Sequence, residues 1–91
     1  MMNIELMNAF LSALRSGSMP AAAGFLGVSQ ICLSERLQML ENNIGFTLIQ
    51  RGRNIRSVIL TEKGQQFYTL SPKIMAVLYE VENIKSPLRK E

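Results

Sequence analysis

The chain contains no histidine and no aspartate, and it has a single cysteine, Cys32. A Ser–His–Asp or Cys–His nucleophile system cannot be assembled from such residues. A structural zinc site asks for about four Cys, His or carboxylate ligands. One Cys and scattered Glu do not supply them, so neither a metal site nor a cofactor is expected. A lone cysteine also excludes a disulfide within the chain, and nothing points to an oxidising compartment. No stretch approaches the roughly 18 apolar residues of a membrane helix. The opening MMNIELMNAF lacks the basic stretch and apolar core of a secretory signal. These absences remove most enzyme readings and leave a cytoplasmic, non-membrane protein whose work is binding.

What is present is one domain's worth of chain: 91 residues, 47% hydrophobic and 19% charged. The net charge is +3, and it is not evenly spread. Residues 1–41 carry Arg15 and Arg36 against Glu5, Glu35 and Glu41. Residues 62–91 carry five basic groups against four acidic ones. Residues 42–61 carry Arg51, Arg53 and Arg56 and no acid. A local excess of guanidinium groups attracts phosphate, because each can grip two oxygens and displace a counterion. The bland alternative is a solvated basic loop.

Residues 3–16 have the spacing of an amphipathic helix, with Leu6, Met7, Phe10, Leu11 and Leu14 on one side and Gly17 as its stop. Ser18 is placed to cap a short second helix, with Pro20 in its first turn, where a missing N–H costs nothing. Ala21, Ala22 and Ala23 allow close approach in that helix, and Phe25 and Leu26 supply bulk before Gly27. Ser29 caps a third helix over about 30–43 that stops at Gly45. Its apolar stripe is Leu33, Leu37, Leu40 and Ile44. The opposite face carries Ile31, Ser34, Glu35, Gln38 and Asn42, mainly short or amide-bearing groups that suit contact with base edges; composition alone favours the alternative, an ordinary solvated face.

Residues 46–50 and 57–60 read as two short strands joined by RGRNIR, a hairpin with the arginines at or beside its tip. Thr61 then caps a fourth helix. Phe67, Leu70, Ile74, Val77, Val81 and Ile84 recur there at alternating three- and four-residue spacing, the a and d positions of a heptad. This stripe suggests pairing with another helix, such as that of a second copy; the alternative is packing on its own domain. Pro72 falls inside it, so the helix either kinks there or restarts with Ser71 as cap. The order helix, short helix, helix, hairpin, long helix predicts a mainly α, winged helix-turn-helix fold. The expected organisation is a helix-turn-helix unit over 1–61, a linker or dimerisation helix over 62–85, and a tail over 86–91.

The residues themselves carry a resemblance. Phe10, Ser18–Met19, Ala22–Ala23, Leu26, Val28–Ser29–Gln30, Leu33–Ser34, Leu40–Glu41, Gly45, Leu48, Arg51, Leu60–Thr61–Glu62 and Gly64 resemble the N-terminal domain of LysR-type transcriptional regulators of bacteria. The likeness runs from about residue 3 to 68. It implies binding to double-stranded operator DNA, with residues 20–27 and 30–44 as the helix-turn-helix. By resemblance, Gln30 and Ser34 contact DNA from the recognition helix, and Arg51 and Arg53 from the wing. Ser18, Pro20 and Ser29 lie where the family often touches the DNA backbone. The terminal helix resembles the linker through which such domains form homodimers.

Three departures stand out. Ile31 takes the place of the family's usual Pro, and a branched apolar side chain suits a thymine methyl. Glu35 stands where Arg is common; a carboxylate repels phosphate and accepts from a donor such as the cytosine amino group. The segment from Arg51 to Thr61 looks longer than the commonest wing, so Arg53 and Arg56 are both candidates to face DNA. With Gln38, these complete the expected DNA-facing set. The family's inducer-binding domain has no counterpart in these residues. The chain therefore reads as a fragment of a regulator or as a short protein, and no small-molecule site is assigned to it. A protein-interaction module without DNA binding is the competing reading, favoured by Glu35 and the heptad stripe.

Overall fold

The described residues fold into four helices, and their limits follow from caps written in the sequence. In a computed structural model that describes residues 2–85, α1 spans Ile4–Ser16, α2 Met19–Leu26, α3 Gln30–Ile44 and α4 Glu62–Lys85. The expected tail 86–91 lies outside the described residues. Asn3 opens α1 by accepting from the Leu6 N–H at 2.8 Å. Ser18 does the same for α2 through the Ala21 N–H, and Ser29 for α3 through the Cys32 N–H at 3.0 Å. Gly17, Gly27 and Gly45 close the first three helices in the left-handed backbone region, where a side chain would be strained. At Gly45 the cap N–H returns to the Glu41 carbonyl at 2.8 Å.

The three helices bury one stripe each. Leu6, Met7, Phe10 and Ala13 of α1 meet Ala22 and Ala23 of α2 and Leu33, Leu37 and Leu40 of α3. The alanines of α2 bring its backbone close to its neighbours. Phe25 is the exception to the expected bulk: it is 73% exposed, and Leu26 alone of the pair packs against the core. Gly24 sits mid-helix, and a Cβ there would meet nothing within 4 Å. Gly24→Ala is therefore expected to raise the unfolding free energy by about 0.5–1 kcal/mol, visible as a higher thermal midpoint.

The expected hairpin is present in outline but scarcely as strands. Its two limbs meet at one antiparallel bridge, Ile49 with Leu60. Gln50 N–H donates to the Ile59 carbonyl and Thr61 N–H to the Leu48 carbonyl, both at 2.8 Å. The ladder stops there because neighbouring donors are engaged elsewhere. The Leu48 and Ile49 N–H groups point at the Glu41 carboxylate, and the Val58 N–H donates to the Gly17 carbonyl at 2.9 Å. The wing is thus pinned to α3 on one limb and to the α1–α2 turn on the other. Its tip turns at Arg53–Asn54.

Thr61 caps α4 through the Gly64 N–H at 2.9 Å. Gly64 is buried against the Leu48 carbonyl, close enough that a Cβ would overlap it. Phe67 then seats between Phe10 and Phe46, with ring centroids 5.6 and 6.0 Å away in edge-to-face geometry. That corrects the expected pairing stripe. Phe67, 6% exposed, belongs to the domain's own core, because the first turns of α4 must close the three-helix unit. Ile74 is half-buried against the same core, whereas Leu70, Val77, Val81 and Ile84 stay exposed. The helix does not restart at Pro72: α4 runs through it. Pro72 has no N–H for the Tyr68 carbonyl, and the Ser71 hydroxyl donates to that carbonyl at 2.7 Å.

Candidate nucleic-acid interface

Because α3 buries Leu33, Leu37 and Leu40, its other face is turned to solvent. Gln30, Ile31, Ser34, Glu35 and Gln38 are all exposed on it, with Asn42 continuing the row. Ile31 is 73% exposed. Arg36 is the one basic residue of this helix, and it is drawn aside to Glu5 of α1 at 3.1 Å. The outward face of α3 therefore offers amide, hydroxyl, carboxylate and branched apolar groups, and no cation.

The wing supplies the positive charge. Arg53 and Arg56 are exposed, and neither enters an ion pair among the described residues. A cleft of about 220 Å³ separates the wing from the helices; Ser34, Gln50, Arg51, Arg56 and Ser57 are among its walls, with Met19 from α2. The α3 face and the basic wing thus lie side by side. Arg51 behaves differently from its two neighbours. Its Nη1 donates to the Glu41 carboxylate at 3.1 Å and to the Ile49 carbonyl at 2.8 Å.

Ser18 and Ser29 stand at the N-termini of α2 and α3. Each hydroxyl oxygen accepts its cap hydrogen bond, which leaves the O–H to donate outward. Pro20 is exposed in the first turn of α2. Cys32 is half-buried beside the apolar stripe.

Sequence reading missed Glu41. Its Oε2 accepts from Leu48 N–H at 2.7 Å, Ile49 N–H at 3.2 Å and Arg51 at 3.1 Å, and the side chain is 11% exposed. One signal for it existed. A carboxylate in the last turns of a helix opposes the helix dipole and asks for a compensating partner.

This geometry defines a class: a helix-turn-helix unit with a basic wing and a long terminal helix, suited to duplex DNA. Residues 4–65 match the model of the bacterial regulatory helix-turn-helix proteins of the lysR family, and the chain belongs to that family. It is 35% identical over 79 residues to the HTH-type transcriptional regulator GltR of Bacillus subtilis, covering 87% of this chain and 26% of that protein. It is 32% identical over 93 residues to the HTH-type transcriptional activator BauR of Pseudomonas aeruginosa, covering 98% of this chain and 30% of that protein. The chain thus spans less than a third of the length of either relative. Among solved structures it is similar to the BenM DBD in complex with benA site 1 DNA, with TM-score 0.74 and 27% identity over 92% of this chain and 95% of that one. The CbnR DBD–DNA complex is similar at TM-score 0.75 and 27% identity, over 92% and 94% of the two chains. No described helix is long and apolar enough to cross a membrane.

Proposed function

We propose that this chain is the operator-reading part of a bacterial transcription regulator and works without catalysis, cofactor or small-molecule ligand of its own. The single observation that carries the reading is the juxtaposition of a solvent-facing polar α3 with the exposed Arg53 and Arg56 of the wing. In this reading α3 enters the major groove, and Gln30, Ile31, Ser34, Glu35 and Gln38 face base edges. The wing lies along the phosphates or into the minor groove. Ser18, Pro20 and Ser29 meet the backbone, where a hydroxyl donates to a phosphate oxygen. Arg51 holds the base of the wing to α3 through Glu41 rather than reaching out from its tip.

Residues 1–61 form the DNA-binding unit and 62–85 the linker helix. Leu70, Val77, Val81 and Ile84 support pairing of two copies, and a groove of about 300 Å³ between Met2, Ile74, Val77 and Leu78, with Lys73 at its side, continues that surface. Two copies would read a two-part, roughly palindromic site. The work is cytoplasmic, at the nucleoid.

Removing the wing charge tests the reading. Replacing Arg53 and Arg56 together by Ala is expected to weaken binding to every duplex, whatever its sequence. It should also reduce the slope of log affinity against log salt by about two. Unchanged affinity and slope in a fluorescence-anisotropy titration would remove the wing from the interface.

A further inference from the structure

We propose that Glu35 and Ile31 make α3 select a cytosine beside a thymine, Glu35 accepting a hydrogen bond from the cytosine N4 amino group and Ile31 packing on the thymine C5 methyl. The inference rests on the DNA-binding reading and names what that face recognises.

The outward face of α3 lacks the usual means of reading guanine. The commonest specific contact to a base is Arg or Lys on guanine O6 and N7. Arg36, the helix's one cation, is held by Glu5 on α1 and leaves none on the outward face. Glu35 occupies that face instead, exposed and without an ion pair or a side-chain hydrogen bond among the described residues. An ionised carboxylate only accepts. Guanine O6 and N7, thymine O4 and phosphate oxygens all present lone pairs and repel it. Two base edges in the major groove donate: cytosine N4 and adenine N6. Adenine sets the N7 acceptor beside its amino group, so the second carboxylate oxygen meets a lone pair there. Cytosine sets a C–H at the corresponding place. Cytosine is the better partner.

Ile31 lies four residues earlier, one turn along the same face, with Cβ atoms roughly 5–6 Å apart at that spacing. It is the large apolar group exposed in the first turn of α3, since Leu33 is buried. Thymine is the base that carries a methyl in the major groove, and covering both groups removes apolar surface from water. The reach of the two side chains fits neighbouring base pairs.

The experiment selects bound duplexes from a random pool with the full chain as wild type, Glu35→Gln and Ile31→Ala. Both positions are exposed, so these variants fold as the wild type does. The wild-type site is expected to contain the cytosine–thymine step. Changing its cytosine should weaken wild-type binding about tenfold, and Glu35→Gln should shift the preference at that position towards adenine, whose N6 and N7 an amide matches. Replacing the thymine by deoxyuracil removes the methyl alone; it should weaken the wild type a few-fold and leave Ile31→Ala indifferent. Identical selected sites for wild type and Glu35→Gln, with the variant tighter on every sequence alike, would overturn the inference and reduce Glu35 to a phosphate-repelling charge. If the wild type binds no duplex even at low salt, the DNA-binding reading itself fails, and this one with it.

Discussion

Glu41→Ala is expected to lower the unfolding free energy by about 3 kcal/mol, a large share of what holds a domain of this size together. Glu41 is a single acceptor serving three donors. Two are backbone N–H groups of Leu48 and Ile49, residues that are themselves buried. Removing the carboxylate leaves those donors facing an apolar side chain, and each unsatisfied buried donor costs about 1–3 kcal/mol. Arg51 is only half-exposed and loses its counter-charge as well. Glu41→Gln keeps one oxygen to accept with and surrenders the charge, so it should lose about half as much, since charge-assisted bonds are roughly twice as strong as neutral ones. Glu35→Ala is the control. That side chain is exposed and its stability effect should stay within about 0.5 kcal/mol. Urea unfolding followed by circular dichroism separates the three. A midpoint for Glu41→Ala equal to that of the wild type would refute the hub.

Gly64→Ala should be almost as damaging, although it adds a single methyl at the first turns of a helix, where alanine is ordinarily preferred. Its Cβ would overlap the Leu48 carbonyl and press on the Thr61 hydroxyl at 3.1 Å. Neither neighbour is free to yield. The Leu48 carbonyl accepts from the Thr61 N–H, and the Thr61 hydroxyl donates to the Thr47 carbonyl while it caps α4. The added atom must push α4 off the base of the wing, at an expected loss of about 2–3 kcal/mol. Gly24→Ala is the same substitution with the opposite sign, because Gly24 faces open space. A stabilised Gly64→Ala in the same urea titration would show that α4 does not approach the wing so closely.

These two positions also mark what sequence reading reaches. The helices were legible because their signals are local. A cap hydroxyl binds an N–H three residues on, an apolar stripe repeats every turn, and a glycine ends the run, as Ser29, Leu33–Leu37–Leu40 and Gly45 illustrate. The outward face of α3 followed from its inward one. The wing was harder. Apolar, branched limbs at 46–50 and 57–60 suggest strands, yet a ladder needs its donors free, and those of Leu48, Ile49 and Val58 are engaged by Glu41 and Gly17. Glu41 itself left no periodic trace, because its partners lie seven to ten residues away around a helix end. The heptad in α4 gave the spacing of a stripe without saying what covers each member. Phe67 goes to the core and Val77 to solvent on the same repeat. Phe25 shows that apolar identity alone does not imply burial.

In the reading proposed above, the exposed face of α3 and the basic wing together meet duplex DNA. A chain of 10.2 kDa is well suited to solution NMR, and titration of unlabelled duplex into the 15N-labelled protein reads the contact surface directly. Amide shifts are expected to concentrate at residues 29–38 and 51–57 and to fade as salt is raised. The outward positions of α1, Asn8 and Arg15, should be left unmoved. Shifts confined to α1 or to the α4 stripe, or none at low salt, would contradict it.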